Sequence, residues 1–130
     1  ICFSKFSHLL QINGRKFKGE FHDVEVKAHN LRNDTLQEGV ITALDVILSL
    51  GDQGELEYGL KWYETIGTAG VVKNYWVEEI NQDEARGRCG FVYEAGDLDP
   101  QGFQGNHIHL PSDTRTLNSP EYVLFFWICL

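Results

Sequence analysis

One segment, "GVITALDVILSLGD" (residues 39–52), reads as the only convincing helix in a chain whose other ordered stretches alternate like strands. Thr42 is a good N-cap residue, and Asp45 three positions later resembles a capping box with Asp in place of the usual Glu. Ile41 before the cap and Val46 four residues after it are spaced for a hydrophobic staple. Gly51 suits the position just beyond a helix, so the pattern predicts a helix over about residues 42–50. Thr42, Asp45 and Ser49 form one polar stripe, while Ala43, Leu44, Val46, Ile47, Leu48 and Leu50 cover the rest. So wide an apolar face predicts a helix lying across a sheet.

Before it, "LLQINGRKF" carries Asn13-Gly14 between apolar-rich flanks, a pair that favours a type I′ hairpin turn. It predicts strands over roughly 3–12 and 16–28. In the second, Val24, Val26 and Ala28 alternate with Asp23, Glu25 and Lys27, giving one buried and one wet face. "HNLRNDTLQEG" then reads as a loop. After the helix, "LEYGLKWYETI", "VVKNYWVEEIN", "RCGFVYEAG" and "EYVLFFWIC" read as strands, with "GTAG" and "QDEARG" as turns. Between the last two strands lies a polar, Gly-rich insert over about residues 97–120. The order predicts one α+β domain over residues 1–130, a mixed sheet with a single packed helix.

With 130 residues, 42% of them hydrophobic, the chain can fill a genuine core and is not a disordered one. The net charge of −8 argues against nucleic acid or an anionic membrane as an electrostatic partner. No apolar run reaches the roughly 18 residues of a membrane helix, so no transmembrane segment is expected. Of Cys2, Cys89 and Cys129, no two show CxxC spacing, which disfavours a thiolate zinc site or a dithiol redox motif. One disulfide and three buried thiols both remain open. A chain without Met that begins at Ile1, with a sequon at Asn33-Asp34-Thr35, suggests an exported protein whose leader is gone. The expected location is extracellular, periplasmic or at the cell surface.

Several of these segments resemble a known family. "EGVITALDVILSL" resembles the helix start of the transcobalamin C-terminal-like β-grasp domains, and "NYWVEEINQ" resembles one of that family's strands. "CGFVYEAG" is similar to another, with Phe91 where Trp is usual and Ala95-Gly96 in place of Asn-Gly. "SPEYVLFFW" is similar to the last strand, although the Gly-Asp turn before it is absent. The likeness covers roughly residues 38–128. It implies a β-grasp-like fold and a secreted or surface-exposed binding module, sometimes covering a tetrapyrrole-type ligand, with no catalytic residues to carry over. The 97–120 insert departs from the family pattern.

That insert holds "GNHIHLPSD", whose His107 and His109 would share one face if the segment is extended. Two imidazoles are half of a copper or zinc site. His22, His29 and Asp113 are candidates for the missing ligands, alongside Asp97, Asp99 and Cys89. The bland alternative is a pair of loop histidines bonded to backbone or facing solvent. Asp97 and Asp99 in "AGDLDPQG" suggest a calcium loop, but Ile108 stands where its bidentate Glu would be. Asp-Pro with Gly is also an ordinary turn.

The aromatic pairs Trp62-Tyr63 and Tyr75-Trp76, and the run Phe125-Phe126-Trp127, place neighbouring rings on opposite strand faces. Trp62, Tyr75, Trp76, Phe103 and Tyr122 are therefore candidates for contacting a ligand or a partner protein. Rings covered by loops are the bland alternative. There is no Gly-x-Ser-x-Gly elbow, and no glycine-rich phosphate loop precedes the helix. The sequence therefore predicts a non-catalytic exported binding or assembly module. A small metalloprotein built on His107 and His109 is the alternative.

Overall fold

The computed structural model describes residues 4–65, 70–96, 111–117 and 122–129. Strands β1 (Ser4–Asn13) and β2 (Lys18–Lys27) form an antiparallel hairpin followed by the helix α1 (Ala43–Asp52). Then come β3 (Tyr58–Thr65), β4 (Val71–Ile80), the two-residue β5 (Asp83–Glu84), β6 (Cys89–Gly96) and β7 (Tyr122–Cys129). The architecture is mixed α+β. No described helix is long and apolar enough to cross a membrane.

The strands expected in one mixed sheet divide into two. One has the order β2-β1-β7-β6 and the other β3-β4-β5. In the first, β1 and β7 run parallel in register Leu9↔Tyr122 through Asn13↔Phe126, flanked by antiparallel β2 and β6. β4 and β6 face each other without joining, and this separation opens the space described below.

The core lies where α1 packs on the inner faces of the sheets. Leu10, Ile12 and Val26 from the hairpin meet Leu44, Ile47 and Leu50 of the helix, with Ile80, Val123 and Phe125 completing the cluster. Val24 and Val26 are buried while Asp23 and Lys27 are exposed, the alternation that strand geometry demands.

The hairpin is real, but its tip lies two residues further along than expected. Asn13 pairs with Lys18, and the Gly14 N–H donates to the Phe17 carbonyl at 2.8 Å, leaving Arg15 and Lys16 at the turn. Gly14 is needed for space. The buried Asp83 carboxylate accepts from Lys16 N at 3.0 Å and Phe17 N at 2.9 Å, and a Cβ on Gly14 would collide with it.

The capping box forms as expected. Thr42 N–H donates to Asp45 Oδ2 at 2.8 Å, and Thr42 Oγ1 accepts from Asp45 N. The next orphan N–H groups of the helix start donate to the segment after the insert: Ala43 N to Arg115 O at 2.8 Å and Leu44 N to Ser112 O at 2.9 Å.

The helix end is corrected. Gly51 lies inside α1, and Gln53 is the C-cap. The left-handed residue is Gly54, at φ +77°, where Glu55 N returns to Leu50 O at 2.9 Å. A Cβ at Gly51 would strike the Tyr58 ring, so this glycine serves a close approach.

The polar stripe is buried. Ser49 Oγ accepts from Lys27 N at 3.0 Å, and Asp45 Oδ1 accepts from His29 N at 3.1 Å. Asp45 and Ser49 thus bond the chain as it leaves β2, while Thr42 bonds Asp45.

Candidate functional site

The long separation between the first and last quarters of the chain closes around Arg32. Its guanidinium donates from Nη1 to Asp113 Oδ2 at 2.9 Å and from Nε to Asp34 Oδ1 at 3.0 Å. The same Asp113 oxygen accepts the Tyr75 N–H at 2.8 Å. Arg32 also sits 5.2 Å from the centre of the Trp62 ring, which meets Tyr75 edge-on at 4.9 Å. Trp62, Tyr75 and Asp113, three residues singled out from sequence, therefore meet at one knot. Arg32, at its centre, was missed, because nothing local in "NLRND" signals an ion pair 81 residues away.

Beyond the knot, Tyr75 and Trp76 form one wall of an aromatic cavity of about 220 Å³ between β4 and β6. Phe91, Tyr93 and Phe125 form the facing wall, and Pro111 and Ser112 lie against it. Tyr93 stacks on Phe125 with ring centres 5.6 Å apart. Burial pushes the Tyr93 phenol well above its ordinary range, so it stays protonated.

Two polar atoms at this cavity lack partners among the described residues, Asn74 Oδ1 and Trp76 Nε1. Asn74 is 1% exposed, and its amide makes only a 3.3 Å contact to Tyr75 O. A buried polar atom without a partner costs about 1–3 kcal/mol. An acceptor and a donor at an aromatic cavity are the kind of groups that orient a small ligand.

A second, wider cleft of about 510 Å³ adjoins the first. Trp76, Val77, Phe91 and Val92 line both, so the two form one trough running toward the Cys89 end of β6. Lys61, Arg86 and Arg88 line the outer part, and Glu78 is its one carboxylate among the described residues. Tyr63 OH donates to Glu78 Oε1, and that bond, with burial behind it, pushes the phenol up to about 12. The Lys61 ammonium lies 5.1 Å from the Tyr63 ring centre.

The remaining candidates are dispersed. His29 is held between the two ends of α1, with Nδ1 2.9 Å from Asp45 Oδ1 and Nε2 2.7 Å from Asp52 Oδ2. Burial alone would lower its pKa, but the hydrogen bonds to Asp52 and Asp45 outweigh it and the net shift is upward. His22 lies on the exposed face of β2, 3.3 Å from Glu20. Asp113 is engaged by Arg32 and the Tyr75 N–H. No group of three or more potential metal ligands occurs among the described residues. Tyr122 is 1% exposed and belongs to the interior. His107, His109, Phe103, Asp97 and Asp99 lie outside the described residues.

Cys89 and Cys129, directly opposite each other in β6 and β7, form a disulfide. Of the two cysteine alternatives, this is the first. Asn74, Arg86 and Arg88 were also missed from sequence; alternation marks a strand's faces but not the gap between two sheets. Compared with known proteins, the sequence matches no protein-family model and no curated protein.

Proposed function

We propose that this chain is a non-catalytic, exported binding module of β-grasp-like topology, and that its ligand enters the cavity between β4 and β6. The topology reading is supported by a hairpin, then a helix, with the last strand returning parallel to the first between β2 and β6. Export is supported by the disulfide, which persists in oxidising compartments and here includes an exposed Cys129. The polar side chains that line the inner cavity are the amide of Asn74, the indole of Trp76, the hydroxyls of Tyr75 and Tyr93 and that of Ser112, neutral hydrogen-bonding groups suited to orienting a ligand.

One observation carries the binding reading: an aromatic cavity of about 220 Å³ whose buried Asn74 Oδ1 and Trp76 Nε1 have no partner among the described residues. The test is titration of the native protein with N-phenyl-1-naphthylamine, a neutral aromatic whose fluorescence rises in apolar sites. The expected result is a saturable rise that reports one site and disappears in Val92→Trp, where the indole fills the trough. Thermal melting of the variant checks that it folds. No saturable binding to the native protein, or equal binding to a folded Val92→Trp, would overturn the reading.

A further inference from the structure

The two ends of the trough differ in chemistry. The inner end is aromatic and, among the described residues, uncharged, with one acceptor and one donor unpaired there. Among the described residues, the outer end carries three cations, Lys61, Arg86 and Arg88, against the single carboxylate of Glu78. None of the three cations is ion-paired among the described residues, where the ion pairs of lysine and arginine with carboxylates are those of Lys27 and Arg32. This local excess of positive charge occurs in a protein of net charge −8, so it runs against the field of the whole molecule.

The outer cations are also well placed. Arg86 and Arg88 flank the tight turn into β6, where the Arg86 and Cys89 backbones bond each other at 3.0 and 2.9 Å. Their backbone is thus fixed while their exposed side chains remain free to reach a ligand. Glu78 is occupied by the Tyr63 hydroxyl, which partly satisfies the one group that would repel an anion.

Resting on the binding reading above, we infer that the ligand is a small amphipathic organic anion. Its apolar body lies between Trp76 and Phe91, and its acidic head, a carboxylate or sulfonate, meets Arg86, Arg88 and Lys61 at the mouth. A neutral polar group at the far end of such a ligand would meet Asn74 Oδ1 and Trp76 Nε1. Guanidinium groups suit this role because their paired N–H donors match the two oxygens of an oxyanion.

The test compares two dyes with the same aromatic skeleton: 1-anilinonaphthalene-8-sulfonate, which bears an anionic head, and N-phenyl-1-naphthylamine, which lacks one. Both are titrated into the native protein and into the Arg86→Glu/Arg88→Glu variant, whose changed side chains are exposed. The expected result is tighter binding of the sulfonate by native protein. In the variant its affinity falls by about tenfold or more, the loss of one to two charge-assisted bonds, while the neutral dye keeps its affinity. Sulfonate binding in the native protein should also weaken with salt.

If both dyes bind the native protein equally and neither responds to the charge reversal, the anion assignment is overturned and the binding cavity stands. If neither dye binds the native protein, both readings fall. If the variant loses both dyes alike while remaining folded, the arginines shape the trough instead of recognising charge, and the anion assignment is again overturned.

Discussion

At the scale of single residues, His29 sets a pH dependence. Its imidazolium is held by Asp45 and Asp52, and its folded-state pKa is raised above the ordinary 6.5. Its stabilising contribution is therefore fully present below pH 6.5 and is lost as pH rises through the raised value. Urea midpoints measured from pH 5.5 to 9 should fall across that window in the native protein, and the fall should shrink in His29→Gln. Asn74 makes the opposite kind of statement. Replacing its unpaired amide oxygen by a hydrocarbon of similar size in Asn74→Leu should leave the melting temperature unchanged or raise it, while weakening N-phenyl-1-naphthylamine binding. A clear loss of stability would mean that the amide serves the fold. Gly51→Ala tests a third case. Alanine is favoured over glycine in a helix by about 1 kcal/mol, yet here its methyl meets the Tyr58 ring. The expected outcome is a lower melting temperature despite the better helix former.

At the scale of elements, the N-terminus of α1 is closed from two directions. The capping box closes it locally, and the carbonyls of Ser112 and Arg115 close it from far along the chain. Arg32 and Asp113 hold that second closure in place. Asp113 is 1% exposed, so Arg32→Ala would leave its buried carboxylate without a counter-charge, with the Tyr75 N–H still donating to it, and should cost about 3–5 kcal/mol. Hydrogen exchange should show the Ala43 and Leu44 amides opening first in that variant. The sequence revealed the local closure and not the distant one. Thr42 and Asp45 announce a capping box because its two halves are three residues apart, and alternation in Val24 and Val26 announces a strand in the same way. A salt bridge between Arg32 and Asp113 leaves no local trace. Gly14 and Gly51 are deceptive for a related reason: each suggests backbone freedom in the sequence, but each is small to admit a side chain, Asp83 or Tyr58, from elsewhere. Trp62, Tyr75 and Trp76 are legible as strand aromatics, while the split of the strands into two sheets, which makes Tyr75 and Trp76 the wall of a trough, is not.

At the scale of the molecule, the disulfide ties β6 to β7 across a sequence separation of 40 residues. A closed loop of that size restricts the unfolded chain enough to stabilise the fold by about 4 kcal/mol in the chain-entropy view. Cys89→Ala/Cys129→Ala should therefore melt on the order of 10 °C below the native protein. Calorimetry would show this, and coincident melting curves would mean that the paired strands hold without the bond.

The parallel pairing of β1 with β7 also has a kinetic consequence. Leu9 and Tyr122 are register partners at the centre of the larger sheet, so that sheet cannot close until nearly the whole of the chain between them has been made and has collapsed. The hairpin and the helix can form early from neighbours in sequence, but the middle of the molecule waits for its most distant contact. Such high contact order slows folding relative to a helical protein of equal size. During that wait the apolar edge of β1 has no partner on one side, which leaves the half-made protein exposed to capture by other strands.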